Sequence, residues 1–120
     1  MTLFEVTEKG SFAYSATIRD AAGVAVPGTS LTTLLLTFYN ADTMAGAIVN
    51  SRDHQSVLNV NNVAVDGAGR LVWTMQPADL VIQNARRAYE RHEALFEWTY
   101  PSGSGRHVVG FRVKNLRHVE

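Results

Sequence analysis

The chain has 120 residues, of which 46% are hydrophobic and 18% charged, a balance that suits one folded domain with one core and excludes a disordered segment. Lysine plus arginine equals aspartate plus glutamate, 11 against 11, so no net field draws the protein to nucleic acid or to an acidic membrane. With no cysteine, a disulfide framework, a thiolate nucleophile and a cysteine-ligated zinc are excluded.

The chain opens with Met1 and is expected to be a complete small product with a single domain over residues 1–120. Glu5, Glu8 and Lys9 near the start are unlike a signal peptide, and Leu34-Leu35-Leu36 is far too short to span a bilayer. Phe12, Tyr14, Ala16 and Ile18 alternate with Ala13, Ser15, Thr17 and Arg19, the period of an amphipathic strand. Asp20-Ala21-Ala22-Gly23 is a turn, and Pro27 breaks the connector that follows. Residues 31–39 are β-branched and aromatic with apolar residues on both parities, as in a central strand. Ala41 to Ala47 reads as a loop and Ile48-Val49-Asn50 as a short strand. Val57 to Val65 reads as one or two short strands bent at Asn59, Asn61 and Asn62, which tolerate left-handed backbone.

Asp66-Gly67-Ala68-Gly69 is a tight turn before a strand through Leu71, Trp73 and Met75. Pro77-Ala78-Asp79 reads as a turn or a single helical turn. Asn84 to His92 fits either a helix, from the spacing of Arg86, Arg87, Glu90 and Arg91, or a long polar loop, and the loop is preferred. Ala94, Phe96, Trp98 and Tyr100 share one parity; after Pro101-Ser102-Gly103-Ser104-Gly105, Val109, Phe111 and Val113 share another, which is a closing hairpin. About seven strands with a turn signal every ten or so residues is the rhythm of a β-sandwich.

No catalytic pattern stands out. His92-Glu93 lacks the second histidine of a zincin helix, since Phe96 holds that place. His54, His107 and His118 have no local ligand spacing, so neither metal nor cofactor is expected. Gly103-Ser104-Gly105 matches neither a nucleophile elbow nor a phosphate loop. Arg86, Arg87, Arg91 and Arg106 are the one basic concentration, diluted by Glu90 and Glu93 into a solvated face. Trp73 and Trp98 sit on the apolar parity, which favours a core over a sugar-stacking platform. Because scaffold loops carry interaction surface, Asp42, Met44, Arg86, Arg87, Tyr89 and Arg91 are the candidate interface. Edge strands and the arm Met1 to Val6 are further places where a neighbour would be met.

The succession Asp20-Ala21-Ala22-Gly23, Leu31 to Tyr39, Asn59-Val60-Asn61-Asn62, Gly69-Arg70-Leu71-Val72-Trp73, Pro77-Ala78-Asp79 and His92 to Tyr100 closing on Val113 to Leu116 resembles the small Ig-like β-sandwich modules of tailed-bacteriophage virions. It is also similar to the N-terminal domain of phage baseplate upper proteins; the polar segment Asn84 to His92 departs from both by its length. The resemblance implies an all-β, Ig-like antiparallel β-sandwich of about seven strands, without catalytic residues. It implies a non-enzymatic virion protein, made in the host cytoplasm, in a capsid decoration, neck or connector, or tail or baseplate. Its partners would be other virion proteins or copies of itself, with no specific nucleic acid and no membrane. The alternative is a carbohydrate-binding module for receptor attachment.

Overall fold

The computed structural model describes residues 3–84 and 86–116. Nine strands run through them in chain order: β1 (Leu3–Thr7), β2 (Phe12–Thr17), β3 (Thr33–Asn40), β4 (Ala47–Ile48), β5 (Gln55–Ser56), β6 (Val63–Val65), β7 (Arg70–Met75), β8 (Tyr89–Tyr100) and β9 (Gly103–Lys114). One sheet has the order β1-β9-β8-β3-β4, with β5 also against β3, and the other has β2-β7-β6. Placing the second, seventh and sixth strands opposite the third, eighth and ninth is the BED-against-CFG partition of immunoglobulin-like sandwiches.

The expected sandwich is therefore present, with β1 and the two-residue β5 as additions to the expected strands. One pairing departs from the antiparallel expectation: β1 runs parallel to β9, Leu3 against Gly110 through Thr7 against Lys114. That pairing also corrects the expectation of an arm free to reach a neighbour, since Leu3 to Val6 belongs to the chain's own sheet; Met1 lies outside the described residues. The segment expected as a loop from Asn84 to His92 is shorter, because β8 begins at Tyr89. The strand expected at Ile48-Val49-Asn50 is Ala47–Ile48, and of Val57 to Val65 only the last three residues are strand.

Turn chemistry follows the sequence closely. Asp20 Oδ1 accepts the N–H of Ala22 and Val24, and Asp66 Oδ1 accepts those of Ala68 and Arg70, so each aspartate closes its own turn. Asn59, Asn61 and Asn62 all have positive φ (57°, 56° and 70°), the left-handed backbone asparagine tolerates. Gly69 has φ +81°, and a Cβ there would lie 2.7 Å from the Val26 carbonyl, so both conformation and space demand glycine. Gln76 and Asp79 form a reciprocal capping box on the 3-10 turn Pro77–Asp79.

The core lies between the sheets and is aromatic at its centre. Trp73 of β7 meets Phe38 of β3, Phe96 of β8 and Phe111 of β9 edge to face, with ring centroids 5.1, 5.7 and 5.7 Å apart. Trp73, Trp98, Phe96 and Phe111 thus share one core, as their alternation requires. Antibody domains join strands B and F of the two sheets by a disulfide; with no cysteine in the chain, the Tyr14 ring of β2 and the Phe96 ring of β8 stack across the sheets with centroids 6.2 Å apart. Replacing Trp73 by alanine is expected to cost about 3–5 kcal/mol, the range for large aromatic truncations, read as a lower urea midpoint with unchanged slope; an unshifted midpoint contradicts this core.

Candidate interaction surface

The expected interface loops come together at one end of the sandwich, because register places their roots side by side: Asn40, the last residue of β3, pairs with His92 of β8. The β3–β4 loop is fixed by its own hydrogen bonds. Asn40 Oδ1 accepts the Asp42 N–H at 2.9 Å, and Thr43 Oγ1 donates to the Asn40 carbonyl while accepting the Ala47 N–H. Met44 stands at the tip of this loop, fully exposed.

The loop before β8 is held from below by a buried carboxylate. Glu90 accepts the backbone N–H of Gln83 at 2.9 Å, that of Asn84, and His92 Nε2 at 2.9 Å, and both Glu90 and His92 are fully buried. Three N–H donors are what a desolvated carboxylate requires, and they explain an acid on the core-facing parity of β8. Donation from Nε2 makes His92 the Nε2–H tautomer, which leaves its buried Nδ1 without a hydrogen-bond partner. Burial pushes the His92 pKa down from 6.5 more than the bond to Glu90 raises it, so the ring is neutral at pH 7.

The two loops are tied across β8. Asp42 Oδ2 accepts the Arg91 N–H at 2.9 Å and lies 3.5 Å from the Arg87 guanidinium, and Asn40 Nδ2 donates to Gln83 Oε1 at 3.1 Å. Arg91 also pairs with Glu93 at 2.8 Å, and Glu93 accepts the Tyr39 hydroxyl at 2.7 Å. Burial first, then that bond to a carboxylate, pushes the Tyr39 pKa up to about 12. Of the six candidate residues, Asp42, Arg87 and Arg91 are joined directly, Met44 projects from the same end, and Arg86 is exposed. Tyr89 is half-buried, with the Arg112 guanidinium 3.8 Å from its ring centroid.

A second buried polar cluster was not foreseen. Arg52 Nε and Nη2 bind both carboxylate oxygens of Asp79 at 2.6 and 3.2 Å, and Arg52 Nη1 binds Gln55 Oε1 at 2.7 Å. Asp79 also accepts Asn50 Nδ2 and the Gln76 N–H, each at 2.9 Å, so its acceptors are filled. The guanidinium sits 5.5 Å from the Trp73 ring centroid, closing that end of the core. The solvated face expected to hold Glu90 is corrected, since Glu90, like Asp79, is fully buried, and His92 lies within β8 instead of in the loop expected before it. The capping box at Gln76 and Asp79 was the one local signal; the partner Arg52 lies 27 residues away.

Arranged this way, the buried charges of Arg52, Asp79 and Glu90 position loops; they are met by protein donors and acceptors instead of aimed at solvent. Among the described residues no three His, Asp or Glu side chains converge as metal ligands, and no helix is long and apolar enough to cross a membrane. Trp73, Trp98 and Tyr14 are buried, while Tyr39, Tyr89 and Tyr100 are half-buried.

No family model and no curated protein sequence matches the chain. Among solved structures, the titin M3 domain is similar, with 9% identity over 93% of this chain and 88% of that one and a TM-score of 0.43. At that score the likeness adds nothing to what the strand order itself shows.

Two consequences are measurable. Asp79→Ala leaves Arg52 charged and unpaired in the interior and is expected to cost about 3–5 kcal/mol, whereas Arg52→Met with Asp79→Leu is expected to cost clearly less. For His92 the unfolded chain binds a proton more readily than the folded one, so stability falls as pH drops below 6.5 and stops falling below the folded value. Thermal melts from pH 7.5 to 5.0 are expected to show this slope in the wild type and a smaller one in His92→Gln; equal slopes rule out the assignment.

Proposed function

We propose that this chain is a non-enzymatic structural protein of a tailed-phage virion, working through protein–protein contacts in a capsid decoration, neck or connector, or tail or baseplate. The observation that carries a contact-making role is the braced end of the sandwich. Two loops far apart in sequence are locked by Asp42, Asn40 and the buried Glu90, and they display an exposed Met44 that lines one concavity with Arg91. A surface held rigid before binding loses less entropy on association than a mobile one. A long apolar side chain beside a guanidinium is the composition favoured at the centre of protein interfaces.

The virion setting rests on the sequence resemblance alone. Its implied partners are other virion proteins or copies of the chain, and its implied location is the particle. The carbohydrate-binding alternative needs exposed, coplanar rings. The burial of Trp73 and Trp98, the Tyr39 bond to Glu93 and the Arg112 cover on Tyr89 all favour the contact-making reading over it.

The experiment is light scattering at micromolar concentration together with fractionation of particles. The wild-type chain is expected to exceed its 13.2 kDa monomer mass or to co-sediment with virions. Met44→Asp combined with Arg86→Glu and Arg87→Glu is expected to lose that association while melting like a folded protein. A strictly monomeric chain that never fractionates with particles overturns both the assembly and the structural role.

A further inference from the structure

We infer that the free edge of β9 at Ser104, Arg106 and Val108 accepts an added β-strand from another polypeptide, an extended segment that alternates apolar with acidic side chains. Two hydrogen bonds fix which main-chain groups face outward. The Asn115 N–H donates to the Ala88 carbonyl at 2.8 Å, on the β8 side, and the Lys114 carbonyl accepts the Glu8 N–H at 3.0 Å, on the β1 side. With antiparallel alternation, odd-numbered residues of β9 bond to β8 and even-numbered ones point the other way. There β1 covers β9 only from Gly110 to Lys114. Among the described residues no strand lies beside the outward N–H and C=O groups of Ser104, Arg106 and Val108. They form a row open to a pairing chain.

What flanks this row distinguishes it from an ordinary blunt edge. Among the described residues β2 is the edge of the facing sheet, with β7 as its one strand neighbour. Between the two edges lies a cavity of about 290 Å³ whose walls include Tyr14, Ala16, Leu71, Phe96, Trp98 and His107. That is far more than one water's share of about 30 Å³, and the walls are mostly apolar. A strand laid against β9 at the usual spacing of about 4.8 Å sends every second side chain toward the gap between the sheets. Main-chain bonds set its register, and the cavity selects apolar residues at alternate positions.

Charge selects the occupant. Arg106, exposed and paired with Glu97 at 3.2 Å, lines the rim of the cavity together with Arg19 and His107, so that rim carries two arginines. Two copies pairing through this edge would set Arg106 near its own counterpart, and like charges across a pair destabilise it. A foreign strand with acidic residues on its outward parity meets Arg106, while its apolar parity enters the cavity. This edge lies at the Trp98 end of β8, remote from the Met44 and Arg86 surface, and stands or falls independently of it.

The test selects binders from a displayed library of random eight-residue peptides against the intact chain, then titrates the recovered peptides by fluorescence anisotropy. Arg106→Pro removes an outward N–H and no bond of the β8 ladder. Arg106→Glu keeps the backbone and reverses the charge, which keeps the test open if the proline variant does not fold. The expected result is a recovered class alternating apolar with acidic residues, bound about tenfold or more weaker by each variant. The inference is overturned if no such class is recovered or if the recovered peptides bind Arg106→Pro as tightly as the wild type. It is overturned equally if light scattering shows wild-type dimers that Arg106→Pro dissolves, which would make the occupant a second copy.

Discussion

The contact on which the rest of the molecule depends is that of Trp73 with Phe38, Phe96 and Phe111. Four strands from two sheets meet there, and the rings pack edge to face where no disulfide is available. Hydrophobic burial of this size is the main favourable term for folding a chain of 120 residues. Once the cluster is in place, the parity of β3, β7, β8 and β9 is fixed, because a one-residue slip would turn each aromatic to solvent.

The two ends of this core are finished differently. At one end polar groups close it: the Arg52 guanidinium lies over Trp73, and the His92 ring stands edge-on to Phe38. Asp79 and Glu90 hold those two cations or donors in place and, with the same oxygens, hold the chain around Gln76 and around Gln83 and Asn84. The neighbouring loops are rigid because their anchors are inside the protein, where hydrogen bonds to carboxylates are strongest. At the other end the sheets part. Trp98 lies flat against Gly105, where a Cβ would sit 2.7 Å from the indole, and beyond it the cavity and the bare edge of β9 begin. The fold thus presents one surface of fixed loops and one of unpaired backbone.

Much of this was legible in the sequence, and the reasons differ by element. Turns at Asp20, Asp66 and the asparagines follow from local chemistry that needs no tertiary context. Alternation announced the strands through Tyr14, Trp73, Phe96 and Phe111. It failed at the start of β8, because the core-facing places there are Glu90 and His92, and a polar residue on the buried parity looks like a loop until its partners are known. The β1–β9 pairing was illegible for another reason: parallel partners more than a hundred residues apart leave no local signature. Of the candidate interface, Asp42, Arg87 and Arg91 lie together through the β3–β8 register, which no local pattern announces, and the Arg52–Asp79 pair that steadies this end likewise depends on two loops with no shared pattern.

Residue-resolved amide hydrogen exchange tests the picture of one closed and one open end most directly. The account predicts slow exchange at Gln83 and Asn84, loop residues whose N–H groups end on the buried Glu90. It predicts an alternation along β9, with Ser104, Arg106 and Val108 exchanging fast between slow Gly105, His107 and Val109. Uniform protection from Ser104 to Val109, or fast exchange at Gln83 and Asn84, would contradict it.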